Sequence, residues 1–434
     1  MLRKTLTVHS SLLFDPKKKA FVKNISIQVD CQNGSIANVF QRKSDDEIQD
    51  DDIDLRGKVV MPGFVDSHTH IFLHSYTERS STEQMRDESI VERIVRATNH
   101  VREALLAGYT TYRDLGTEAM ENFDANFRDC INRGLLPGPR LFVATHALAS
   151  TSSYAIRSEN RQNGLVLPQA SDAGDGPDGV RRAVRRRVGD GADIIKFYAD
   201  YRRKIMRFPP LPSHVKGGIE FLPPVPNPAI PLFNQEEMIA IVEEAKLSEL
   251  PVAAHAGSFK GAMMAVKAGV TSIEHGNEIT EELCQEMVKR GCIFVPTLAV
   301  FEAEAKSILP EFLTRCKKAH DLGVRLAAGG DTGAFPHGES ARELELMIEA
   351  GIPLEDVLEA CFIGGWEACG KDKCGYRFGW FEKGNRADII ALDTDPRDDP
   401  KALRKVNFVM KDGRVWKKEG AAVNMALEHT WTNP

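Results

Sequence analysis

The middle of the chain repeats one unit, in which apolar residues at helical spacing end at a glycine and a short apolar strand follows at once. Apolar side chains recur at helical spacing from Ile90 to Leu105, and Gly108 separates them from the strand-like residues 109–112. Glycine suits the left-handed backbone position that ends a helix before such a strand. The same junction occurs at three further glycines: Gly269, Gly291 and Gly323. The repeat therefore predicts a fold in which strands and helices alternate.

This region contains eight candidate core strands. They lie near residues 59–65, 109–113, 140–146, 192–197, 251–255, 270–275, 292–297 and 324–330. Eight strands that alternate with helices predict an α/β protein with a (β/α)8 TIM barrel, in which the chemistry lies at the C-terminal ends of the strands. A doubly wound sheet is the structural alternative, but we find no Gly-x-Gly-x-x-Gly turn to support it.

Both ends of the chain show a different pattern, in which apolar and polar residues alternate as in β-strands. Asp412 and Gly413 form the centre of a predicted tight hairpin near the C-terminus. We therefore predict three parts: residues 1–60 and 381–434, which together form a small β-sandwich domain, and residues 61–380, which form the inserted barrel.

Two histidines separated by one residue, His68 and His70, follow the first predicted barrel strand. Side chains alternate along a strand, so both imidazoles point to the same side and can bind one metal ion. A pair of this kind alone more often belongs to the core or the surface. The residues at the other strand ends therefore decide whether this pair is part of a metal site.

Four more predicted strands end in residues that can bind metal. Their side chains are Lys196 in an apolar run, His255, His275 and Asp331. Each has a structural explanation when taken alone, such as a core histidine, an ion pair or a helix cap. Because the strand ends of a barrel face one opening, we expect all of these side chains to meet there.

These motifs resemble those of the metal-dependent amidohydrolase superfamily, and the resemblance covers nearly the whole chain. The matching pieces are residues 62–70, 195–196, His255, His275, 330–333 and 384–390. Within the superfamily the chain is most similar to the branch of imidazolonepropionase-like enzymes, Xaa-Pro dipeptidases and ochratoxinase-type amidases. The resemblance implies a barrel with a composite β-domain and two divalent metal ions, usually Zn²⁺.

The resemblance also implies a role for each candidate ligand. His68, His70 and Asp331 would bind the first metal, His255 and His275 the second, and Lys196 would be carboxylated by CO2 and bridge both. Imidazole and carboxylate groups suit zinc, whereas an unmodified ammonium has no lone pair to offer. The implied reaction is cleavage of the amide C–N bond of an N-acyl amino acid, a dipeptide or a related compound by a metal-activated hydroxide. Asp331 would accept the proton and return it to the amine.

Residues near the same strand ends are candidates for substrate binding. They are Tyr154, Arg157, Tyr198, Tyr201, Arg202 and His337, and His146 could polarise the substrate carbonyl as a further catalytic residue. Arginine can hold a substrate carboxylate with two hydrogen bonds. A solvated loop is an equally simple interpretation of residues 202–204. The proline-rich residues 205–232 would form a lid or an interface.

Composition excludes several other functions. The net charge of −6 argues against nucleic acid or an anionic membrane as partner, and we find no apolar run long enough to span a bilayer and no signal peptide. The eight scattered cysteines match no zinc or redox motif, which favours reduced thiols and a cytoplasmic location. Relatives are commonly homo-oligomers. The alternatives are a lyase, deaminase or cyclase on the same scaffold, whereas a serine hydrolase would require a Gly-x-Ser-x-Gly motif, which we do not find.

Overall fold

Strands and helices alternate through the middle of the chain and strands predominate at both ends, in a computed structural model that describes residues 5–43, 48–152, 169–202 and 228–425. The strands are β1 (Thr5–His9), β2 (Leu12–Asp15), β3 (Ala20–Lys23), β4 (Ile25–Asp30), β5 (Ser35–Gln41), β6 (Ile53–Asp54), β7 (Val59–Pro62), β8 (Phe64–Thr69), β9 (Tyr109–Asp114), β10 (Arg140–Val143), β11 (Ala147–Ala149), β12 (Ser171–Ala173), β13 (Ile195–Tyr198), β14 (Asp200–Arg202), β15 (Ala229–Pro231), β16 (Val252–Ala256), β17 (Ser272–His275), β18 (Ile293–Val295), β19 (Arg325–Leu326), β20 (Ile389–Leu392), β21 (Val406–Lys411), β22 (Arg414–Lys418) and β23 (Ala421–Ala422).

The helices lie mainly between the central strands. They are α1 (Ser81–Asp87), α2 (Ile90–Leu106), α3 (Phe123–Asn132), α4 (Gly176–Gly189), α5 (Gln235–Leu247), α6 (Phe259–Ala268), α7 (Glu281–Arg290), α8 (Leu298–Glu304), α9 (Leu309–Asp321), α10 (Ala341–Glu349), α11 (Leu354–Glu359) and α12 (Gly365–Ala368). Short 3-10 or π-helical turns lie at Lys306–Ile308, His337–Glu339, Ala360–Gly364, Lys371–Cys374 and Pro400–Arg404. In the part of the chain that the structure describes, no helix is both long enough and apolar enough to cross a bilayer.

The central strands are parallel and form a continuous ring. One group runs in the order β10, β9, β8, and another in the order β12, β11, β13, β16, β17, β18, β19. The N–H groups of Asp193 and Ile194 donate to the Val143 carbonyl at 2.8 and 3.2 Å, which joins the two groups on one side. On the other side the Ser67 N–H donates to the Ala328 carbonyl at 2.9 Å. Hydrogen bonds therefore link each strand to the next and the last strand back to the first.

The first predicted strand, residues 59–65, is wrong as a single element because it covers the end of one strand and the start of another. β7 pairs with β2 and β20, whereas β8 pairs with β9 in the ring. Gly63 separates them and packs against Thr110, whose Oγ1 would lie 2.2 Å from a Cβ atom at that position. Only glycine permits this approach, so the change of sheet occurs here.

Several local predictions are confirmed. Asn234 accepts from the Glu237 N–H at 2.9 Å, and the Glu237 carboxylate accepts from the Asn234 N–H at 2.6 Å, which is the predicted capped start of α5. Gly269 and Gly291 end α6 and α7 in the left-handed conformation. Asp412 connects β21 to β22 at a φ of 52° as part of the predicted two-residue hairpin.

Strands from both ends of the chain form one seven-stranded sheet, in the order β23, β22, β21, β20, β7, β2, β3. A four-stranded sheet in the order β5, β4, β1, β6 packs against it through one apolar core. This core includes Val8, Leu13, Ile27, Val29, Ile36, Val60, Ile389, Phe408 and Met410. The shared sheet and core are what the predicted composite domain requires, and the exact domain boundaries stay a prediction.

Candidate metal centre

Three of the predicted ligands lie close together: His68 and His70 at the end of β8, and Asp331 in the segment that follows β19. The Nε2 atoms of His68 and His70 lie 3.6 and 3.3 Å from Oδ1 of Asp331. Both histidines lie on one side of β8, since their side chains are two residues apart on a strand. The two nitrogen atoms and the carboxylate therefore face a common point.

Two further imidazole rings, those of His275 and His255, extend this group of ligands across the ring of strands. The ring centroids of His68 and His275 are 4.9 Å apart, and those of His275 and His255 are 4.6 Å apart. β16 and β17 are neighbours, which brings His255 and His275 together at their C-terminal ends. One ligand atom each from His68, His275 and Asp331 lie within 4.8 Å of one another. This is the spacing that a bound metal ion requires.

Lys196 lies on β13, the strand beside β16, and its side chain opens into the same cavity. It is 2% exposed, and this burial lowers its pKa to about 8, an effect that Arg113 increases and that Glu274 and Asp331 oppose. A substantial fraction of the side chain is therefore a neutral amine near physiological pH. Only the neutral amine has the lone pair that can attack CO2.

Contacts behind three of the imidazoles hold their orientation. Nδ1 of His68 lies 2.9 Å from Oε2 of Glu274, and Nδ1 of His70 lies 2.8 Å from the Gly116 carbonyl oxygen. Nδ1 of His275 lies 2.9 Å from Oγ1 of Thr297. With Nδ1 occupied in this way, Nε2 of each ring is the nitrogen that remains for a metal.

Glu274 is itself held by a buried ion pair that the sequence analysis did not identify. Arg113, on β9, donates to Oε1 of Glu274, and both side chains are fully buried. Arg113 also donates to the Ser67 carbonyl at 2.6 Å, which links the pair to β8. Burial alone would raise the pKa of Glu274, but Arg113 and His68 hold it below its usual range. The sequence signal that could have identified Glu274 is a charged residue directly before His275 in an apolar strand.

The protonation states of His68, His275 and Asp331 fit a metal site. At His70, burial alone would lower the pKa, but the contact with Asp331 raises it to about 9, so a metal ion would have to displace a proton from this ring. Burial, reinforced by the positive charge of Lys196, lowers the pKa of His68 to about 4, so this ring is neutral at physiological pH. Burial also lowers the pKa of His275 to about 3. The pKa of Asp331 stays below its usual range despite burial, because His68, His70 and His275 surround it. Neutral imidazole and ionised carboxylate are the forms that bind Zn²⁺ or a similar divalent ion, so the donor set fits such a metal.

The backbone is strained at three positions of the site. His275, Thr297 and Asp331 have φ values of 70°, 51° and 63°, in the left-handed region that residues with a side chain rarely adopt. Each costs on the order of 1–3 kcal/mol and persists only where the surrounding structure holds it. Two of these residues, His275 and Asp331, are candidate ligands, and Thr297 is the hydrogen-bond partner of His275. Strained residues of this kind cluster at functional sites.

The ligands form the floor of a cavity of about 800 Å³, a size suited to a small organic substrate. One wall is apolar and comes from α8, α9 and the turn between them; its side chains are Val300, Phe301, Ala305, Ile308 and Phe312. Phe301 and Phe312 stack with their ring centroids 3.8 Å apart. The remaining lining is mostly polar and includes Tyr76, Glu118, Tyr198, Tyr201, Asn277, Glu278, Glu304 and Arg315.

The predicted substrate residues are not all at the cavity. Tyr198 and Tyr201 line it, and their rings lie near His255, with centroid distances of 4.9 and 6.3 Å. Tyr154, Arg157 and the side chain of Arg202 lie outside the described residues, as does most of the predicted loop 205–232.

Two predicted histidines lie away from the cavity lining. His146 follows Thr145, which has a left-handed φ of 58°, and burial together with the positive charge of Arg187 on α4 lowers the pKa of His146. His337 stacks on His100 with ring centroids 4.3 Å apart, and its Nε2 contacts the Leu73 carbonyl at 3.0 Å. Neither side chain is among the residues that line the cavity in the described structure, and their substrate and catalytic roles stay predictions.

Comparisons with known proteins show which family this chain resembles. The sequence model of the Amidohydrolase family matches residues 59–416. The ochratoxinase of Aspergillus niger is 29% identical over 403 residues, which cover 84% of this chain and 77% of that protein. The imidazolonepropionase of Caldanaerobacter subterraneus subsp. tengcongensis is 23% identical over 367 residues, or 80% of this chain and 79% of that protein. A crystal structure of a Xaa-Pro dipeptidase with bound methionine in the active site is 28% identical and superposes with a TM-score of 0.78 over 95% of this chain and 100% of that one.

Proposed function

The chain belongs to the amidohydrolase family and is a hydrolase of carbon–nitrogen bonds, and we propose that it cleaves the amide bond of an N-acyl amino acid, a dipeptide or a related small molecule with the help of two divalent metal ions. The observation that carries this proposal is the meeting of four imidazoles, one carboxylate and one buried lysine on the floor of one cavity. In the proposed architecture the ring of parallel strands is a (β/α)8 barrel, and the two terminal segments form a β-sandwich beside it.

The proposed ligand assignment is the one that the family resemblance implies, and the meeting of these side chains at one cavity supports it. His68, His70 and Asp331 would hold one metal, and His255 and His275 would hold the other. The neutral amine of Lys196 would add CO2 and lose a proton, and the resulting carbamate would supply two further oxygen ligands for the metals. Zinc is the proposed metal, since nitrogen and carboxylate donors suit it. When bound, the metals lower the pKa of water and polarise the substrate carbonyl.

The residues of the chain handle the proton and position the substrate. Asp331 accepts a proton from the water that attacks the substrate carbonyl and returns it to the nitrogen of the departing amine, as the C–N bond breaks. Glu274, Gly116 and Thr297 hold the imidazoles in place. Tyr198 and Tyr201 provide hydroxyl groups at the side of the cavity next to His255.

A pooled library tests the function directly. Zinc-loaded protein is incubated with N-acyl amino acids and dipeptides, and products are followed by mass spectrometry, with the Asp331→Asn protein as the blank. Cleavage by the native protein alone would support the proposal, and the released amino acid would identify what the cavity binds. No cleavage with two metals bound would contradict amide hydrolysis of these compounds and favour a cyclic amide, an ester or a reaction of another class.

The apolar wall favours a substrate with a bulky hydrophobic group on one side of its amide. Phe301→Ala removes the ring that stacks on Phe312 and opens this wall. Burying an aromatic side chain contributes about 1.5–3 kcal/mol, so kcat/KM for substrates with an aromatic group should fall roughly 10- to 100-fold. Steady-state kinetics on pairs of substrates that differ only in that group measure the effect.

The small member of each pair is the control for this variant. Its kcat/KM should stay within about threefold of the native value, because it cannot reach the wall. Equal losses for both members, with an unchanged melting temperature, would mean that the wall does not select the substrate.

We also propose that the protein assembles as a homo-oligomer through the first turns of α2. Four apolar side chains there are exposed: Ile90, Val91, Ile94 and Val95. Charges of both signs lie beside them, since Arg96 contacts Glu92 at 3.1 Å and Glu78 at 2.8 Å. A surface with both signs of charge around an apolar centre can pair with a second copy of itself across a twofold axis.

Val91→Glu tests this interface, because it places a charge within the apolar patch. The side chain of Val91 is 70% exposed. The variant should run at the monomer mass in sedimentation velocity experiments at a concentration where the native protein is oligomeric. Leu247→Glu is the matched control, since Leu247 is 77% exposed at the end of α5. An identical mass distribution for native protein and Val91→Glu would rule out this surface.

The proposed location is the cytoplasm. Five cysteines are buried, unbridged thiols in the described fold: Cys284, Cys292, Cys316, Cys361 and Cys369. Burial raises the pKa of Cys292 and Cys316 well above the usual range of a thiol, which keeps them protonated and unreactive. A reducing compartment is compatible with this set of thiols.

A further inference from the structure

Thr297 has a backbone conformation that its residue type disfavours. It is fully buried, and its φ of 51° and ψ of 46° lie in the left-handed region. A β-branched side chain is rare there, and glycine or asparagine would adopt the same conformation at lower cost. The backbone conformation at this position therefore does not explain why the residue is a threonine.

The hydroxyl of Thr297 is turned away from the helix that begins at this residue. Thr297 is the N-cap of α8, yet in the described structure its side chain accepts no hydrogen bond from that helix and lies 2.9 Å from Nδ1 of His275 instead. Thr280 shows the usual arrangement at the start of α7, where its hydroxyl accepts from the Leu283 N–H at 3.3 Å. The two threonines occupy the same helical position but contact different partners.

A carboxylate from another helix replaces the missing cap of α8. Oε2 of Glu343, on α10, accepts from the Ala299 N–H at 2.7 Å. Glu343 is 1% exposed, so the contact is shielded from water. The start of α8 therefore does not need the Thr297 hydroxyl, which is available to His275.

We propose that Thr297 is a positioning residue that fixes the ring of His275 for metal binding, a proposal that rests on the proposed function of the site. The Nδ1–H of His275 donates to Oγ1 of Thr297, which keeps the proton on Nδ1 and would leave the Nε2 lone pair for a metal ion. Nδ1 also lies 4.0 Å from Oδ2 of Asp331, which is beyond hydrogen-bonding distance, so Thr297 is the partner that holds this ring, at a residue whose own φ of 70° is strained.

Thr297→Val is the test, because valine keeps the shape of threonine and removes the hydroxyl. Contacts of this kind typically change metal affinity 10- to 100-fold, so the more weakly held zinc should dissociate from the variant roughly 10- to 100-fold more readily. Competition with a chromophoric zinc chelator measures the affinity, and elemental analysis gives the number of ions per chain. The melting temperature of the metal-free protein should change little, because Glu343 still caps α8.

Two variants serve as controls. Thr297→Ser retains a hydroxyl and should recover most of the zinc affinity. Thr280→Val removes a true helix cap, so it should lower the melting temperature of the metal-free protein and leave zinc affinity unchanged. The expected results for the two valine variants are thus opposite in both measurements.

The outcomes separate this inference from the function on which it rests. If the native protein binds no zinc, the metal assignment and the role of Thr297 are both wrong. If the native protein binds two zinc ions and Thr297→Val binds them with equal affinity, only the role of Thr297 is wrong. If Thr297→Val and Thr297→Ser weaken zinc binding equally, the effect comes from packing and the hydroxyl is not responsible.

Discussion

Asp331→Asn is expected to abolish turnover while the protein stays folded. The carboxylate lies 3.3 and 3.6 Å from Nε2 of His70 and His68 and 4.0 Å from Nδ1 of His275, so it is the centre of the candidate metal site. Asparagine has the same shape but can neither accept the proton of the attacking water nor return it to the amine. General acid–base catalysis contributes roughly 10²–10⁴-fold, and weaker metal binding would add to this loss. Single-turnover kinetics with metal content measured in the same sample separate the two contributions.

Asp193→Asn is the matched control. This carboxylate lies at the opposite end of the strands, where it accepts from Arg128 at 2.7 Å and from the Val143 N–H at 3.0 Å. Its loss should lower stability and leave kcat nearly unchanged, since residues at that face of a barrel serve the fold. An Asp331→Asn protein with two metals bound and near-native kcat would refute the proton-transfer role.

Lys196→Ala is expected to lose one of the two metals and most of the activity. Alanine removes the amine that would become the bridging carbamate, which would leave only His255 and His275 as protein ligands of the proposed second ion. The loss of a metal-supported step should lower kcat by several orders of magnitude. Elemental analysis measures metal stoichiometry, and kinetics with added formate, acetate or propionate measure rescue, because a small carboxylate can occupy the space of the missing carbamate.

The rescue has its own control. The same acids should not restore Asp331→Asn, because that variant retains Lys196 and the defect lies in proton transfer. Native protein freed of metal should also regain activity faster when zinc is returned with bicarbonate than without it. Two tightly bound metals in Lys196→Ala protein would contradict the carbamate bridge.

The part of the site that could be predicted from the sequence depends on local geometry. His68 and His70 share a side of β8 because strand side chains alternate, whatever the rest of the fold does. His255, His275 and Asp331 follow apolar strands, and parallel strands bring their C-terminal ends to one opening. These predictions needed only the periodicity of single segments and the number of strands.

The contacts that orient the ligands could not be predicted in this way. Glu274 acts on His68 across 206 residues, and Arg113 reaches Glu274 across 161. Neither pairing leaves a spacing signal in the sequence. The catalytic role of His146 stays a prediction; the residue before it, Thr145, has a left-handed φ that its residue type does not indicate.

The junction at Gly63 was missed because both sides of it are uniformly buried. β7 is covered by neighbouring strands of the terminal sheet, and β8 lies inside the ring, so residues 59–65 read as one apolar run. The reason for a glycine lies in the approach of Thr110 and in the hydrogen bond from the Gly63 N–H to the Asp388 carbonyl at 3.1 Å. Both are tertiary contacts.

That junction also determines when the site can form during biosynthesis. The ribosome makes His68 and His70 early, but the segment that leads directly into their strand, β7, pairs with β20, which is among the last strands to be made. Pairings this distant in sequence form slowly, and a nascent chain exposes unpaired strand edges until its partner emerges. One edge of the segment that leads into the metal-binding strand therefore stays unpaired until synthesis is almost complete, although β2 and β9 pair with β7 and β8 earlier, and we expect the nascent enzyme to be inactive until then.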